Sequence, residues 1–269
     1  MTALLGSIVS PADPVAFTLF GVAIRWYAIF ILAGIVAGIM LVRHLARLRG
    51  LDPEFPVDIA PWLVLSGIAG ARVTYVLLKP SWFAQHPAEA LNLRLGGLSI
   101  HGALIAAAAV LVVVCNARGQ SPLVWADLMA AGVALGQSIG RWGNWANQEA
   151  FGRPTTLPWG LEIAPDHRPP EYATFTTFHP TFLYESLFNL VNAGVLCWVV
   201  LAIGRGRFGP GAAVWTYLVT YGLGRLVIES LRTDSLFIGP LPGATWVSLA
   251  SIAVGSVLLV RSARSAGAD

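Results

Sequence analysis

Seven long apolar segments constrain the fold of this 269-residue chain more than any other feature of its sequence. They cover roughly residues 20–42, 59–78, 97–115, 123–146, 180–203, 211–231 and 243–260. Each has about the 17–25 residues that a helix needs to cross a bilayer, and backbone polar groups cannot stay unpaired in lipid. The sequence therefore predicts an all-α integral membrane protein with seven transmembrane helices.

The scarcity of charge supports this class and excludes others. Charged residues make up 12% of the chain, whereas a soluble domain carries about 25%. Nucleic acid is not an expected partner, because the basic residues cluster at the ends of the apolar segments. Both cysteines, Cys115 and Cys197, lie within apolar segments and are expected to be unreactive. The His and acidic residues show no metal-ligand spacing, so we expect no metal and no cofactor.

The positions of the basic residues predict the orientation. If the N-terminus lies outside, eight basic residues fall in or beside the cytoplasmic connections: Arg43, Arg47, Arg49, Arg118, Arg205, Arg207, Arg261 and Arg264. Five fall outside: Lys79, Arg94, Arg153, Arg168 and Arg232. The positive-inside rule then places the N-terminus outside and the C-terminus in the cytoplasm. We expect residues 1–269 to form a single polytopic membrane domain, with the loop at about 148–179 as a small extracytoplasmic cap.

Four arginines fall in or near the apolar segments, where charge is costly: Arg25, Arg72, Arg141 and Arg225. Arg25 lies near a helix end beside Trp26 and Tyr27, so its side chain can reach the membrane interface as an anchor. Arg72 lies in the middle of its segment, where insertion costs at least about 2.5–3.5 kcal/mol, so it must face other helices in an ion pair or an anion site. Arg225 has Glu229 as a partner four residues on, and this pair is as compatible with structure as with function. Arg141 belongs to the polar end of the fourth segment.

Other polar side chains line up on helical faces. Glu185, Asn189 and Asn192 stand at i, i+4 and i+7. One buried Asn often only joins two helices, but a glutamate with two amides on one face indicates a lined cavity. Tyr221 and Arg232 continue the face of the arginine–glutamate pair just described.

His101 lies in the glycine-rich stretch GGLSIHGAL, at the outer end of the third segment on this topology. A lone histidine is compatible with a satisfied structural residue. Two features shift the interpretation toward a base: the flanking glycines open access to the backbone, and at this membrane depth a neutral imidazole can accept a proton.

The fourth segment ends in the polar stretch GQSIGRWGNWANQEAFG, residues 136–152. Four polar side chains share one helical face, namely Gln137, Arg141, Asn144 and Gln148. Glycines at 132, 136, 140 and 143 form an adjacent strip suited to close helix packing. Asn147 and Glu149 follow where the helix is expected to leave the membrane. An arginine beside amide donors suits a phosphate, so we expect an anionic lipid headgroup here.

The motif GRWGNWANQEAFG closely resembles the signature of bacterial prolipoprotein diacylglyceryl transferases. Trp145 and Ala146 replace a phenylalanine and a larger apolar residue of that signature. Further similar motifs follow the same order along the chain: RWY at Tyr27, GARVTY at Arg72, GGLSIHG at His101, HPTFLYE at 179–185, and YGLGRLVIESLR from Tyr221 to Arg232. The resemblance covers nearly the whole chain, and that family shares the seven-span, N-outside topology.

The resemblance implies an enzyme of the bacterial cytoplasmic (inner) membrane. It would transfer the diacylglyceryl group of phosphatidylglycerol to the lipobox cysteine of a preprolipoprotein signal peptide, the first step of lipoprotein maturation. The products would be a thioether-linked lipid and glycerol phosphate. No cofactor is implied.

The resemblance and the residue chemistry together assign roles. His101 is the candidate base, and Arg141 and Arg232 are the candidates that stabilise the departing phosphate. Candidate substrate-binding residues are Tyr27, Arg72, Asn144, Asn147, Glu149, Gly152, Glu185, Tyr221, Arg225 and Glu229. Of these, Gly152 is expected to allow a close backbone approach. Glu185 on the fifth segment and Glu229 on the sixth are expected to orient arginines.

Two other functions fit the composition. Intramembrane Arg and Glu also occur in transporters of small anionic solutes. However, the chain shows no internal repeat, and its polar cluster lies toward one membrane face. A non-catalytic lipid-binding membrane protein would share the headgroup site but would not need His101.

Overall fold

The computed structural model describes residues 6–93 and 96–265, and within them the regular secondary structure is helical apart from three small sheets. The helices are α1 (Trp26–Leu48), α2 (Phe55–Leu78), α3 (Pro80–Gln85), α4 (Ile100–Ala117), α5 (Pro122–Asn147), α6 (Thr181–Gly204), α7 (Ala212–Glu229) and α8 (Gly243–Ser265). The strands pair antiparallel as β1 (Val15–Leu19) with β2 (Val22–Arg25), β3 (Leu161–Glu162) with β4 (Thr177–Phe178), and β5 (Phe237–Ile238) with β6 (Leu241–Pro242).

Six of the described helices are long and apolar enough to cross a membrane: α1, α2, α4, α5, α6 and α8. The prediction of a multi-helical integral membrane protein is confirmed at this level. Helix α7 is 18 residues long, but it carries Arg225, Glu229 and two tyrosines, which lower its mean hydropathy. Each of the seven apolar segments corresponds to one long helix, so the element count agrees, whereas a seventh membrane crossing remains a prediction.

The predicted start of the first span at residue 20 is wrong. Residues 15–25 form the β1–β2 hairpin, and α1 begins only at Trp26 and continues to Leu48. The hairpin turns at Phe20 and Gly21, which both have positive φ. Its strands are apolar and rich in β-branched residues, so hydropathy alone does not separate them from the helix that follows.

The acidic residue Asp58 lies near the start of α2 but does not cap it. Helix α2 begins at Phe55 with Glu54 at its N-cap, so Asp58 lies in the first turn. Its carboxylate instead accepts a hydrogen bond from Arg118 at 3.1 Å, which joins the start of α2 to the residue after α4.

The chain divides into two compact units. One comprises Met1–Arg49 and Ala126–Asp269, and the other comprises Gly50–Trp125. Within the second unit α2 packs along α4. A Cβ added to Gly102 would overlap Thr74 and the carbonyl of Gly70, so these two helices need glycine at their crossing.

Glycines also set the packing of α1 against α5 in the first unit. A Cβ at Gly34 would lie 2.7 Å from the carbonyl oxygen of Gly136, and one at Gly38 would lie 2.8 Å from that of Gly132. The close packing predicted for the glycine strip of α5 is therefore present. In the same unit α7 packs against both α6 and α8.

The segment between α5 and α6 folds into a small ordered layer. Its buried core consists of Phe151, Leu161, Ile163 and Phe178 together with Phe182 of α6. The N-terminal segment joins it, because Ile8 donates its N–H to Gly160 and accepts one from Glu162. Trp145, near the end of α5, packs against the core of this layer.

The start of α7 is held by a buried carboxylate. Asp127 of α5 is 1% exposed and accepts the backbone N–H groups of Gly211, Ala213 and Val214 at 2.6, 2.9 and 3.0 Å. These donors belong to the unpaired first turn of a helix, where a negative charge is favourable. The bonds therefore fix α7 relative to α5.

Candidate functional site

The centre of the candidate site is one carboxylate between two guanidinium groups. Glu185, in the first turns of α6, is 6% exposed. Its Oε2 lies 2.6 Å from Nη2 of Arg141 on α5, and its Oε1 lies 3.9 Å from Nη1 of Arg232 after α7. Three separate elements of the chain thus converge on a single acidic side chain, which holds both arginines in place.

Arg232 has a second acidic partner. Its Nε and Nη2 donate to the two carboxylate oxygens of Asp234 at 2.8 and 2.6 Å, a bidentate pair. Burial by itself lowers the pKa of the Arg232 guanidinium, but the carboxylates of Asp234, Glu185 and Glu229 outweigh it and raise the pKa above its ordinary value. The group therefore keeps its positive charge.

The ion pair predicted on α7 is present. Arg225 Nη2 lies 2.6 Å from Glu229 Oε2, and both side chains are largely buried. The other carboxylate oxygen of Glu229 accepts a hydrogen bond from the Ser235 hydroxyl at 2.6 Å. Both carboxylate oxygens of Glu229 therefore have a partner, and Glu229 holds the Arg225 side chain in its orientation.

A chain of polar contacts runs along the end of α5. Arg141 Nη1 donates to Asn144 Oδ1 at 3.3 Å, and Asn144 Nδ2 donates to Glu149 Oε1 at 2.9 Å. Asn147 Nδ2 lies 3.4 Å from the same glutamate oxygen. One acidic group therefore orders both asparagines beside Arg141.

The predicted membership of Gln148 in this polar face is wrong. Helix α5 ends at Asn147, and Gln148 leaves it with a φ of 52°. Its side-chain oxygen accepts the N–H of Ala164 at 2.7 Å, so it fastens the layer between α5 and α6. Gln137, at the other end of the face, accepts the Tyr217 hydroxyl at 3.0 Å.

Two glycines allow close approaches at the site. A Cβ at Gly143 would lie 2.7 Å from the ring of Tyr27, so this tyrosine packs directly on α5. A Cβ at Gly152 would lie 2.8 Å from Cβ of His179 and 3.0 Å from the carbonyl of Leu231. Gly152 also donates its N–H to His179 O at 2.9 Å. It thereby brings the motif against the residue that precedes Arg232.

A narrow cleft lies beside the ion pairs. It is lined by Glu185, Phe188, Asn189, Tyr221, Gly224, Arg225 and Ile228. The cavity predicted from the spacing on α6 is therefore present for Glu185 and Asn189. Asn192 is not among the lining residues, and it accepts a hydrogen bond from Thr220 at 2.9 Å, which joins α6 to α7.

In the unit Gly50–Trp125, Arg72 does not form the ion pair that the sequence allowed, since it has no acidic partner within residues 6–93 and 96–265. The buried guanidinium donates to four backbone carbonyls, those of Glu89 (2.5 Å), Ala90 (2.9 Å), Gly96 (2.6 Å) and Gly97 (3.0 Å). These bonds use four of its five N–H donors and order the segment before α4. A contact between Arg72 and substrate remains a prediction.

His101 belongs to the same unit and is the second residue of α4. Its side chain is exposed, and within residues 6–93 and 96–265 its ring has no hydrogen-bond partner. Gly97, four residues before it, has a φ of 76° and lies against the Tyr75 ring. The geometry leaves both ring nitrogens available, as a proton acceptor requires.

Comparison with known proteins identifies the family. Residues 14–261 match the family model described as prolipoprotein diacylglyceryl transferase. The chain belongs to the prolipoprotein diacylglyceryl transferase family. The resemblance stated from its motifs is thereby confirmed, and family membership favours a transferase over a transporter or a non-catalytic lipid-binding protein.

Relatives of this transferase family align over most of their length. The chain is 42% identical over 253 residues to the phosphatidylglycerol–prolipoprotein diacylglyceryl transferase of Trichormus variabilis, covering 93% of this chain and 90% of that protein. It is 45% identical over 245 residues to the protein of that name from Gloeobacter violaceus (91% and 90%). It is 46% identical over 242 residues to that from Synechococcus elongatus (88% and 83%).

Two residues of the cluster are missing from the sequence-based candidates. Asp234 and Ser235 follow α7 in a turn and contact Arg232 and Glu229. Neither stands at helical spacing from its partner. The only sequence signal was the acid two residues after Arg232, which a search for local ion pairs would have found.

Proposed function

We propose that this membrane transferase moves the diacylglyceryl group of phosphatidylglycerol to the thiol of a lipobox cysteine in a preprolipoprotein signal peptide. The observation that carries the proposal is Glu185, buried between Arg141 and Arg232 in a chain of this family. Two positive groups held by one acid before substrate arrives are suited to a phosphate whose charge grows during the reaction.

The reaction is a substitution at the glycerol carbon that carries the phosphate. The cysteine sulfur forms a C–S bond there, and the C–O bond to the phosphate breaks. Glycerol phosphate leaves with the electron pair of that bond. The thiol proton goes to a base, because the thiolate is the attacking form. His101 is the proposed base, and its exposed ring without a partner among the described residues supports this role.

The arginines take different parts in this scheme. Arg141 and Arg232 stabilise the departing phosphate, because carboxylates already fix their guanidinium groups. Arg225, oriented by Glu229, binds the phosphate in the ground state. The guanidinium N–H groups that the carboxylates do not use are the donors for the phosphate oxygens.

The remaining candidates position the lipid. Asn144, Asn147, Glu149 and Tyr221 offer donors and acceptors to headgroup oxygens, and Tyr27 closes the site against α5. Gly152 acts through the backbone, and Arg72 is the remaining candidate headgroup ligand. No metal and no cofactor take part in this scheme.

The same proposal includes the topology. Helix α7 is the seventh span, since its 18 residues rise about 27 Å and it packs between α6 and α8. The N-terminus lies outside and the C-terminus in the cytoplasm of a bacterial cytoplasmic membrane, with 1–269 as one polytopic domain. The cap at about 148–179 then covers the site from the extracytoplasmic side, where lipobox cysteines are presented.

A transfer assay tests the function. Purified protein is placed in phosphatidylglycerol liposomes with a lipobox peptide, and mass spectrometry follows the peptide. We expect a diacylglyceryl adduct with the wild type and with the exposed control Arg153→Ala, and at least a hundredfold slower formation with Arg141→Ala or His101→Ala. No adduct from folded wild type refutes the function, and wild-type rates in both site variants refute the site.

A further inference from the structure

One side chain in the cleft has a hydrogen-bonding atom that the described residues leave unused. Asn189 is 4% exposed, and its Nδ2 donates to the carbonyl oxygen of Glu185 at 2.9 Å. This bond fixes which side of the amide is nitrogen. The Oδ1 atom is buried and has no hydrogen-bond partner among the described residues. A buried polar atom without a partner is costly, so such atoms are rare and need an explanation.

Asn189 lies beside the residues proposed to bind the phosphate. It lines the cleft together with Glu185 and Arg225, which belong to the two ion pairs. It lies one helical turn, about 6 Å along the axis, from Glu185. A lipid whose phosphate is held by the arginines therefore has its neighbouring headgroup atoms within reach of the cleft.

We propose that Asn189 Oδ1 accepts a hydrogen bond from a hydroxyl group of the lipid headgroup and thereby selects hydroxylated headgroups. The inference rests on the proposed function and adds a specificity-determining residue to it. A carbonyl oxygen only accepts hydrogen bonds, so its ligand must bring an O–H or N–H group. The glycerol headgroup of phosphatidylglycerol carries two hydroxyls, whereas Phe188, Gly224 and Ile228 around the amide offer it only apolar side chains or none.

The size of the cleft limits which groups of a ligand can enter it. The cleft, whose lining includes Phe188 and Tyr221, has room for about one water-sized group, so a single hydroxyl fits it and a bulky group does not. A site that hydrogen-bonds a substrate hydroxyl discriminates strongly against the analogue without it, because the buried acceptor is then left unpaired. An ordered water in the cleft satisfies the same atom and abolishes that discrimination.

The test compares two lipids of equal charge and length. Phosphatidylpropanol has the three-carbon headgroup of phosphatidylglycerol without its hydroxyls. We expect wild type to use phosphatidylglycerol at least about tenfold better in kcat/KM. Asn189→Leu brings the ratio close to one by lowering only the rate with phosphatidylglycerol. Asn192→Leu, which also removes a buried amide from α6 but lies outside the cleft, keeps the wild-type ratio.

Each outcome separates this inference from the function it rests on. The ratio of kcat/KM for the two lipids does not depend on how much of the variant is folded. If Asn189→Leu forms no product, the ratio of the two lipids' equilibrium binding constants for the purified variant is measured instead. Equal use of both lipids by wild type overturns the inference and leaves the transferase function intact. A ratio unchanged by Asn189→Leu also overturns it and assigns Asn189 to helix packing or water. No product from phosphatidylglycerol with wild type refutes the function itself.

Discussion

The carboxylate shared by two arginines offers the sharpest perturbation, the replacement Glu185→Gln. At 2.6 Å and an effective dielectric constant of about 20, the attraction between Glu185 and Arg141 is about 6 kcal/mol, and at 3.9 Å that to Arg232 is about 4 kcal/mol. Desolvation of the buried groups offsets most of this, and removing one partner of a buried pair typically costs about 3–5 kcal/mol.

The other partners of the two arginines reduce the free-energy cost of Glu185→Gln. The Arg141 side chain is 23% exposed and still reaches Asn144, and Arg232 keeps its bidentate contact with Asp234. We therefore expect a cost of about 2–3 kcal/mol, which corresponds to roughly 30- to 150-fold in a rate constant.

In Glu185→Gln, the lost charge changes KM, and the lost orientation of Arg141 changes kcat. Losing a negative charge makes the cluster more positive, so an anionic lipid binds more tightly and KM falls a few-fold. Losing the acid that orients Arg141 weakens its contact in the transition state, so kcat falls by the factor given above. Initial rates of peptide lipidation in detergent micelles, at varied phosphatidylglycerol, measure both constants.

A matched control isolates the site. Glu162→Gln makes the same chemical change in strand β3, where the carboxylate accepts the Ser7 hydroxyl away from the arginines. We expect wild-type kcat and KM for it. An unchanged kcat in Glu185→Gln, or a KM that rises while kcat stays constant, refutes the view that Glu185 holds the arginines for the transition state.

Three further changes probe other parts of the structure. Arg141→Lys lowers kcat/KM roughly 10- to 100-fold in the transfer assay, because one ammonium cannot take the two positions that separate guanidinium nitrogens occupy beside Glu185 and Asn144. Asp127→Asn lowers stability by about 2 kcal/mol, seen as a lower unfolding temperature in detergent, while the rate per folded molecule stays constant. Burial lowers the pKa of His179, so its stabilising neutral form is present above about pH 6.5 and is lost as the pH falls through the lowered pKa. The unfolding temperature therefore drops less on acidification in His179→Asn than in wild type.

Each of these has a contrary result. Equal kcat/KM for Arg141→Lys and wild type contradicts a role for the guanidinium fork. Unchanged unfolding temperature in Asp127→Asn contradicts the capping of α7, and so does a loss of activity per folded molecule. An identical pH dependence in His179→Asn and wild type assigns the acid-sensitive step to other groups.

The membrane helices were predictable because the length of an apolar segment decides whether it can cross a bilayer as a helix. Segments of about 20 apolar residues have few alternatives to a helix in lipid, and all seven correspond to long helices. The close packing of the glycine strip was also predictable, since Gly132 and Gly136 stand at the spacing of one helix face. The start of α1 was not, because the apolar strands β1 and β2 have the same hydropathy as the helix after them.

The site was predictable where partners share a helix and not where they come from different segments. Helical spacing found Arg225 with Glu229, and Glu185 with Asn189. It did not find that Glu185 joins Arg141 to Arg232, because those contacts cross between helices. It did not find the backbone carbonyls that Arg72 contacts, since these have no signature in the sequence.

The position of bond cleavage tests the central claim most directly. Phosphatidylglycerol labelled with oxygen-18 in the atom that joins phosphorus to the diacylglyceryl carbon is supplied with a lipobox peptide, and both products are weighed by mass spectrometry. If the arginine cluster stabilises a phosphate that leaves from carbon, all of the label appears in glycerol phosphate, with one equivalent released per lipidated peptide. Label retained on the lipidated peptide, or glycerol phosphate released without lipidated peptide, contradicts the account.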